Sequence, residues 1–220
     1  MPRQLKRTIY SEADLIKMFG LNRVKGEQTP EMFRWLDAPV ATLDVVEQGN
    51  FDRVLPLAVR EIDGWNEEDL KMNFISHILP LGHVFSNGRY KNFHEKTISG
   101  VVDGIALTAK TDFMVATGIL NKPENPYFHF QEYKPQLNPS GEPMAQLLEA
   151  MLIAQEKNKN GKPIYGAEII GQHWAFVTLL DRTYCISKTY NSIDKDNLLD
   201  IIAILRHFMH ILETELLDNL

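Results

Sequence analysis

The stretch that most constrains the fold of this chain is an aromatic run at residues 127–133 that carries a charged pair at its end. A short apolar run of this kind, following a loop rich in proline and asparagine, is typical of a β-strand. Side chains two positions apart on a strand share a face, so Glu132 and Lys134 are expected to point the same way. The sequence therefore predicts a strand that brings an acid and a lysine to one place.

The elements on either side of this run predict an α/β fold. A helix with an acidic first turn is expected to begin after Asn66, and β-branched residues then predict strands over 98–116, with a turn at Asp103-Gly104. Pro143 suits the first turn of a further helix. The remaining predicted elements are strands over 167–180 (broken at Gly171) and 183–188, and a helix over 194–217. We expect a mixed central sheet flanked by helices.

The chain length favours one compact unit with two parts. Residues 1–60 are expected to form an N-terminal helical elaboration, with a helix capped by Ser11 and closed by Gly20 and a second over 30–36. The apolar segment 40–59 is ambiguous. Residues 61–220 are expected to form the main domain.

Composition excludes a few classes of protein. The formal net charge of −6 argues against a passive, charge-driven nucleic-acid binder, but not against a nuclease, because bound metal ions offset clustered carboxylates. The single cysteine, Cys185, excludes an intrachain disulfide and a multi-cysteine zinc site. No uncharged run is long enough to cross a bilayer, and no apolar signal core follows the basic N-terminus, so a cytoplasmic location is expected.

Two acid-x-lysine triplets occur in the chain, about the number expected by chance. Asp69-Leu70-Lys71 lies on a predicted helix, where positions i and i+2 diverge, and is set aside. Glu132-Tyr133-Lys134 lies on the predicted aromatic strand. It is preceded by a further acid, Asp112, at the start of the preceding apolar run.

This ordered set resembles the PD-(D/E)xK nuclease superfamily, which has the restriction-endonuclease-like fold. The resemblance covers about residues 66–190 and implies an αβββαβ core with Asp112 as the first acid and Glu132-x-Lys134 as the signature. Thr111 stands where the family has proline. Asp112, Glu132 and the backbone carbonyl of Tyr133 would then bind Mg²⁺ or Mn²⁺, and Lys134 would hold the attacking water or offset charge on the phosphate.

Two further residues match positions that many members of this superfamily use. An acid on the first helix would position a second ion or a water, and we favour Glu67, with Glu68 as the alternative. Gln146, on the helix after the signature strand, would orient the phosphate or Lys134. The resemblance thus implies catalytic roles for Asp112, Glu132, Lys134, Glu67 and Gln146.

The resemblance implies a divalent-metal-dependent nuclease that hydrolyses phosphodiester bonds of DNA, in a restriction, repair or mobile-element setting. One alternative is a non-catalytic member of the same fold that serves as a nucleic-acid-binding or assembly module. A second is an unrelated α/β protein in which Glu132 and Lys134 form a solvated ion pair at a strand end.

The last predicted helix carries more apolar residues than one face can hold. Two explanations remain open: the helix packs across the sheet with a wide apolar face, or part of it forms a homodimer interface.

Overall fold

Seven strands form one mixed sheet in the computed structural model of this chain, which describes residues 10–217. Their order across the sheet is β1-β7-β6-β5-β4-β3-β2. Two neighbouring pairs, β1 with β7 and β4 with β5, run parallel, and the other pairs are antiparallel. The strands are β1 (Asn22–Lys25), β2 (Lys91–Val102), β3 (Ile105–Ile119), β4 (Lys122–Lys134), β5 (Ile164–Ile170), β6 (His173–Leu180) and β7 (Thr183–Asn191).

Helices cover both faces of the sheet, so the predicted α/β arrangement of a mixed sheet between helices is confirmed. Within residues 10–217, none of these helices has the length and apolar character needed to span a membrane. The helices are α1 (Glu12–Phe19), α2 (Pro30–Leu36), α3 (Val45–Glu61), α4 (Glu67–Leu70), α5 (Ser76–Leu81), α6 (Pro143–Asn158) and α7 (Lys195–Ile211).

Local sequence signals account for several helix and turn boundaries. Ser11 caps α1 in a reciprocal pair with Asp14, and Gly20 ends the helix with φ 61°. The ambiguous segment 40–59 contains most of α3, which begins at a capping pair between Asp44 and Glu47. The predicted turn at residues 103–104 joins β2 to β3, with positive φ at both positions.

The N-terminal part of the chain belongs to the same sheet as the rest. The sequence prediction of a purely helical segment missed β1, whose four residues are mostly polar and exposed. This strand is held by its parallel pairing with β7, and the Asn22 N–H donates to the Arg182 carbonyl at 2.7 Å. The first nine residues of the predicted segment 1–60, and the last three of 61–220, lie outside the described residues.

Two apolar cores lie on opposite sides of the sheet. One is built with α2, α3, α5 and α7, and the other with α1 and α6. In β3, neighbouring residues alternate between them: Phe113 and Val115 belong to the first core, and Met114 and Ala116 to the second.

The C-terminal helix is covered within the chain. Nine residues of α7 are buried, and Trp35 of α2 donates its indole N–H to the Ile204 carbonyl of α7 at 3.0 Å. The helix contacts β7, α2 and α5, so its apolar residues are buried on more than one side. The apolar residues of this helix are therefore accounted for by packing inside one chain, and the homodimer stays a prediction.

The strands β3 and β4 separate at one point, which we call the fork. Their ladder ends at the pair Phe113 and Gln131, whereas β3 continues beside β2 and β4 continues beside β5. The next residues in register, Asp112 and Glu132, therefore face each other where the two strands part. This separation leaves room for side chains inside the sheet.

Candidate active site

Asp112 fills the fork between β3 and β4. Its Oδ2 accepts a hydrogen bond from the Tyr133 backbone N–H at 2.8 Å, in place of the strand partner that this N–H lacks. The side chain is 9% exposed. The carboxylate is thereby fixed beside the backbone of the signature triplet, and its other oxygen is free to contact neighbouring groups.

Glu132 and Lys134 form a buried ion pair. Lys134 Nζ donates to Glu132 Oε1 at 2.7 Å and to the Tyr133 carbonyl at 3.0 Å. The two side chains are only 7% and 5% exposed for Lys134 and Glu132. The prediction that they share a face is confirmed, and the interpretation as a solvated ion pair is wrong because both groups are buried.

Glu67 approaches the fork from the start of α4. Asn66 and Asp69 bond reciprocally at the helix N-terminus. Glu67 Oε2 then lies 3.6 Å from Lys134 Nζ, whereas the side chain of Glu68 is 78% exposed. Of the two acids that the sequence left open, Glu67 is the one that contacts Lys134.

Lys71 is a site residue that the sequence prediction missed. Its Nζ donates to Glu95 Oε1 at 2.7 Å, Glu67 Oε1 at 2.8 Å and Asp112 Oδ1 at 3.0 Å. Lys71 is the first residue of a π-helical turn, Lys71–Ile75, between α4 and α5. The spacing i, i+4 from Glu67 is the signal that could have found it, because such residues are neighbours on a helix surface.

Glu95 is a second residue that the sequence did not indicate. It lies on β2 opposite Asp112, between the ladder pairs His94 with Phe113 and Lys96 with Thr111. Its φ is 52°, a conformation that costs a non-glycine residue on the order of 1–3 kcal/mol and that occurs often at functional sites. The strand prediction began only at residue 98, and nothing in the composition of 91–97 predicts this backbone conformation.

One acid, Glu67, contacts both Lys71 and Lys134. Glu67 contacts Lys71 with Oε1 and Lys134 with Oε2. A third lysine, Lys110 of β3, forms an ion pair with the outer oxygen of Glu95. The cluster therefore contains four carboxylates and three ammonium groups, which nearly balance in charge.

Burial is the largest influence on the pKa of each of the two carboxylates at the fork. It raises the pKa of Asp112, although the Tyr133 N–H and Lys71 act in the opposite direction. Burial also raises the pKa of Glu132 to about 7, and the charge of Asp112 adds to the rise while Lys134 opposes it. Two neighbouring buried acids resist being ionised together. A bound cation would relieve this repulsion.

The lysines remain protonated despite partial burial. Burial lowers the pKa of Lys71, but its three carboxylate partners outweigh this effect and raise the pKa above its usual value. Burial also lowers the pKa of Lys134, but the carboxylates around it, mainly Glu132, outweigh burial and leave this pKa raised. Burial raises the pKa of Glu95, yet Lys110 and Lys71 lower it to about 2.

Three carboxylates of the cluster form a group of suitable size for a cation. One ligand oxygen from each of Glu67, Glu95 and Asp112 lies within 4.8 Å of the other two. Magnesium lies about 2.0–2.1 Å from its oxygen ligands, so these three groups would close inward around Mg²⁺ or Mn²⁺. These hard oxygen donors fit such an ion, and we call the three groups the carboxylate cage.

The cage differs from the metal ligands that the resemblance implied. It shares Asp112 with that set, while Glu132 and the Tyr133 carbonyl both accept hydrogen bonds from Lys134. Lys71 bonds the acids of α4, β2 and β3, whereas Lys134 bonds the acceptors of its own strand.

Gln146 lies apart from this hydrogen-bonded cluster. Among the described residues its side chain makes no hydrogen bond to the acids or lysines at the fork, and its Oε1 is buried without a partner. A Cβ built on Gly141 would lie 3.7 Å from this oxygen, which places Gln146 beside the loop that precedes α6. The geometry does not join Gln146 to the other predicted site residues.

A recess of about 260 Å³ opens beside the carboxylate cage. Its polar lining includes Asp112, Glu95 and Lys71, together with Glu68, Ser76 and His94. The ring of Tyr133 lies 5.9 Å from Lys71 Nζ. The remaining lining is mostly apolar and includes Met72, Ile75 and Leu79. The cluster is thus open to a ligand on this side.

Comparison of the sequence with protein-family models and with curated proteins finds no match.

Proposed function

We propose that this protein is a divalent-metal-dependent nuclease that hydrolyses phosphodiester bonds, with DNA as the expected substrate. The observation that carries the proposal is the meeting of Asp112, Glu132 and Lys134 at the fork. Asp112 binds the backbone of the signature triplet, and Glu132 and Lys134 form a buried pair beside it. The metal is expected to be Mg²⁺ or Mn²⁺.

The order of elements around the fork supports the resemblance to the PD-(D/E)xK superfamily. A helical segment precedes β2, β3 and β4, then α6 and β5 follow, and β5 lies beside β4 in parallel. This is the helix, three strands, helix, strand order that the resemblance implies. The assignment to a restriction-endonuclease-like core is part of the proposal.

The chain supplies most of what phosphodiester hydrolysis requires. Asp112, Glu67 and Glu95 would hold a divalent ion, which, when bound, polarises a phosphate oxygen and lowers the pKa of a water. Lys134 keeps a positive charge in a water-poor place, where it stabilises negative charge that develops on the phosphate. Tyr133 presents its backbone N–H to Asp112 and so fixes the direction of that carboxylate.

The net charge of −6 bears on how the substrate would bind. Lys71 and Lys134 are both paired with acids, so neither is available to phosphate until its partner binds something else. Neutralisation of the carboxylates by a cation would release positive charge toward the substrate. Nucleic-acid binding is therefore expected to depend on the metal.

The test is cleavage of supercoiled plasmid and of single-stranded oligonucleotides, of DNA and of RNA, with Mg²⁺ or Mn²⁺ and with chelator. We expect metal-dependent cleavage that falls by about 100-fold or more in Asp112→Asn and in Lys134→Met. Lys17→Met, at an exposed position of α1, is the matched control and should retain full activity.

Two results would overturn the proposal: no cleavage of any substrate, or cleavage that persists in both variants. Binding of nucleic acid without metal and without cleavage would instead favour the non-catalytic binding module.

A further inference from the structure

Lys71 occupies the centre of the carboxylate cage. An ammonium group has three N–H donors, and here each one meets a different carboxylate, at 2.7, 2.8 and 3.0 Å from Nζ. The side chain is 15% exposed. The donors of Lys71 are therefore saturated by the same three acids that form the candidate cation site.

The size of the cage fits an ammonium group better than a small divalent ion. The three oxygens that Lys71 bonds lie 2.7, 2.8 and 3.0 Å from its Nζ, whereas magnesium–oxygen distances are about 2.0–2.1 Å. Oxygens at hydrogen-bond distance from a nitrogen are therefore spaced more widely than the oxygens around a small divalent ion. Lys71 thus sets the spacing of Glu67, Glu95 and Asp112.

We propose that Lys71 is a built-in competitor for the metal: its ammonium and a divalent cation exclude one another from the carboxylate cage. An ammonium and a divalent ion at the same three oxygens would repel each other within a few ångströms. The cation can enter only as Lys71 leaves, so Lys71 weakens metal binding. This inference deepens the proposed function, on which it rests for the identity of the ion.

The structure offers Lys71 another place to go. Glu68 Oε1 lies 3.8 Å from Nζ, outside the cage, on a side chain that is 78% exposed. The recess beside the cage has Lys71 and Glu68 in its wall. The four-carbon stem of lysine is flexible, so the ammonium can move toward Glu68 or toward a phosphate that enters the recess.

The proposal is tested by measuring Mn²⁺ binding to the whole chain by calorimetry, without nucleic acid. We expect Lys71→Met to bind Mn²⁺ about tenfold more tightly than the unaltered protein. The control is Lys17→Met, at an exposed position of α1 away from the carboxylate cage. Its affinity should change by less than about threefold. Equal or weaker Mn²⁺ binding by Lys71→Met would overturn the proposal.

A second measurement uses the unaltered protein and so does not depend on the folding of a variant. The rate of lysine acetylation is followed residue by residue by mass spectrometry, with and without Mn²⁺. Mn²⁺ should increase acetylation of Lys71 severalfold and leave exposed Lys17 unchanged. An unchanged or slower reaction of Lys71 while Mn²⁺ is bound would contradict the exchange.

The two proposals fail in different ways. Suppose that Lys71→Met binds Mn²⁺ more tightly but the protein cleaves no nucleic acid. This result would support competition between Lys71 and the metal and would contradict the nuclease proposal. Suppose instead that the unaltered protein cleaves nucleic acid and Lys71→Met leaves the Mn²⁺ affinity unchanged. This result would support the nuclease proposal and would contradict competition between Lys71 and the metal.

Discussion

The two acid-x-lysine triplets of this chain, one on a helix and one on a strand, place the same residue types in different ways. On β4, Glu132 and Lys134 pair directly at 2.7 Å. At residues 69–71, Asp69 instead accepts from the Asn66 backbone, and Lys71 pairs with Glu67 one helical turn earlier. The period of the element decides the partner: two residues on a strand, and four on a helix.

The comparison also shows that both lysines reach one cluster. Glu67 lies between them and contacts each with a different oxygen. Asp69 and Lys71 do not pair with each other. Lys71 still joins the cluster, because it pairs with Glu67 four residues earlier on the helix.

The largest effect on stability is expected at the strand triplet. Glu132→Ala leaves Lys134 buried with only the Tyr133 carbonyl at hydrogen-bond distance. We expect the free energy of unfolding to fall by about 3–5 kcal/mol, measured with denaturant, because the buried ammonium loses its closest carboxylate and keeps Glu67 at 3.6 Å. Glu132→Ala combined with Lys134→Met should recover part of the loss. A loss below about 1 kcal/mol would show that the pair is not buried in solution.

The pH dependence of stability should also differ at Glu132. The folded state raises the pKa of Glu132 from 4.5 to about 7, so between these values it holds a proton that the unfolded chain has lost. The free energy of unfolding therefore falls as pH rises through this range, by about 3 kcal/mol. Glu132→Gln cannot ionise and should lack this contribution. Equal pH slopes for the two metal-free proteins would contradict the assigned pKa.

At the helix triplet, the lysine matters more than the acid. Lys71→Met leaves Glu67, Glu95 and Asp112 to repel one another, and we expect a loss of about 2 kcal/mol in the metal-free protein. Mn²⁺ should restore much of this loss, because a ligand that binds the folded state stabilises it. Thermal unfolding with and without Mn²⁺ measures both effects. A variant as stable as the parent without metal would contradict the repulsion.

The smallest effect is expected at the acid of the helix triplet. Asp69→Ala removes one half of the capping pair with Asn66, and the side chain does not bond Lys71. We expect a loss of about 1 kcal/mol in chemical denaturation, with Mn²⁺ affinity unchanged. If Asp69→Ala lowered the free energy of unfolding as much as Glu132→Ala does, the two triplets would not differ in the way described.

The sequence predicted those parts of the site that follow from local periodicity. The shared face of Glu132 and Lys134 follows from the period of a strand, and the capped start of α4 follows from Asn66. The fork required knowledge of where β3 and β4 stop pairing, which depends on the register of the whole sheet. That register is why Asp112 could be placed in order along the chain but not in contact with Tyr133.

Other parts of the site and fold depend on contacts between residues that are distant in the sequence. Glu95 depends on a left-handed backbone conformation within β2, for which its neighbours give no signal. Lys71 pairs with Glu67 at the i, i+4 spacing of a helix, a signal that the i, i+2 spacing of the triplet does not contain. β1 is a short polar strand that exists through its pairing with the distant β7.

The proposed nuclease activity requires the carboxylates at the fork to bind a divalent ion. The most direct test is anomalous scattering from crystals of the protein soaked in Mn²⁺. We predict a peak about 2.0–2.3 Å from an Asp112 oxygen, with Lys71 Nζ moved out of the carboxylate cage. A saturating soak that gives no peak at Asp112, with Lys71 still bonded to all three acids, would contradict the account.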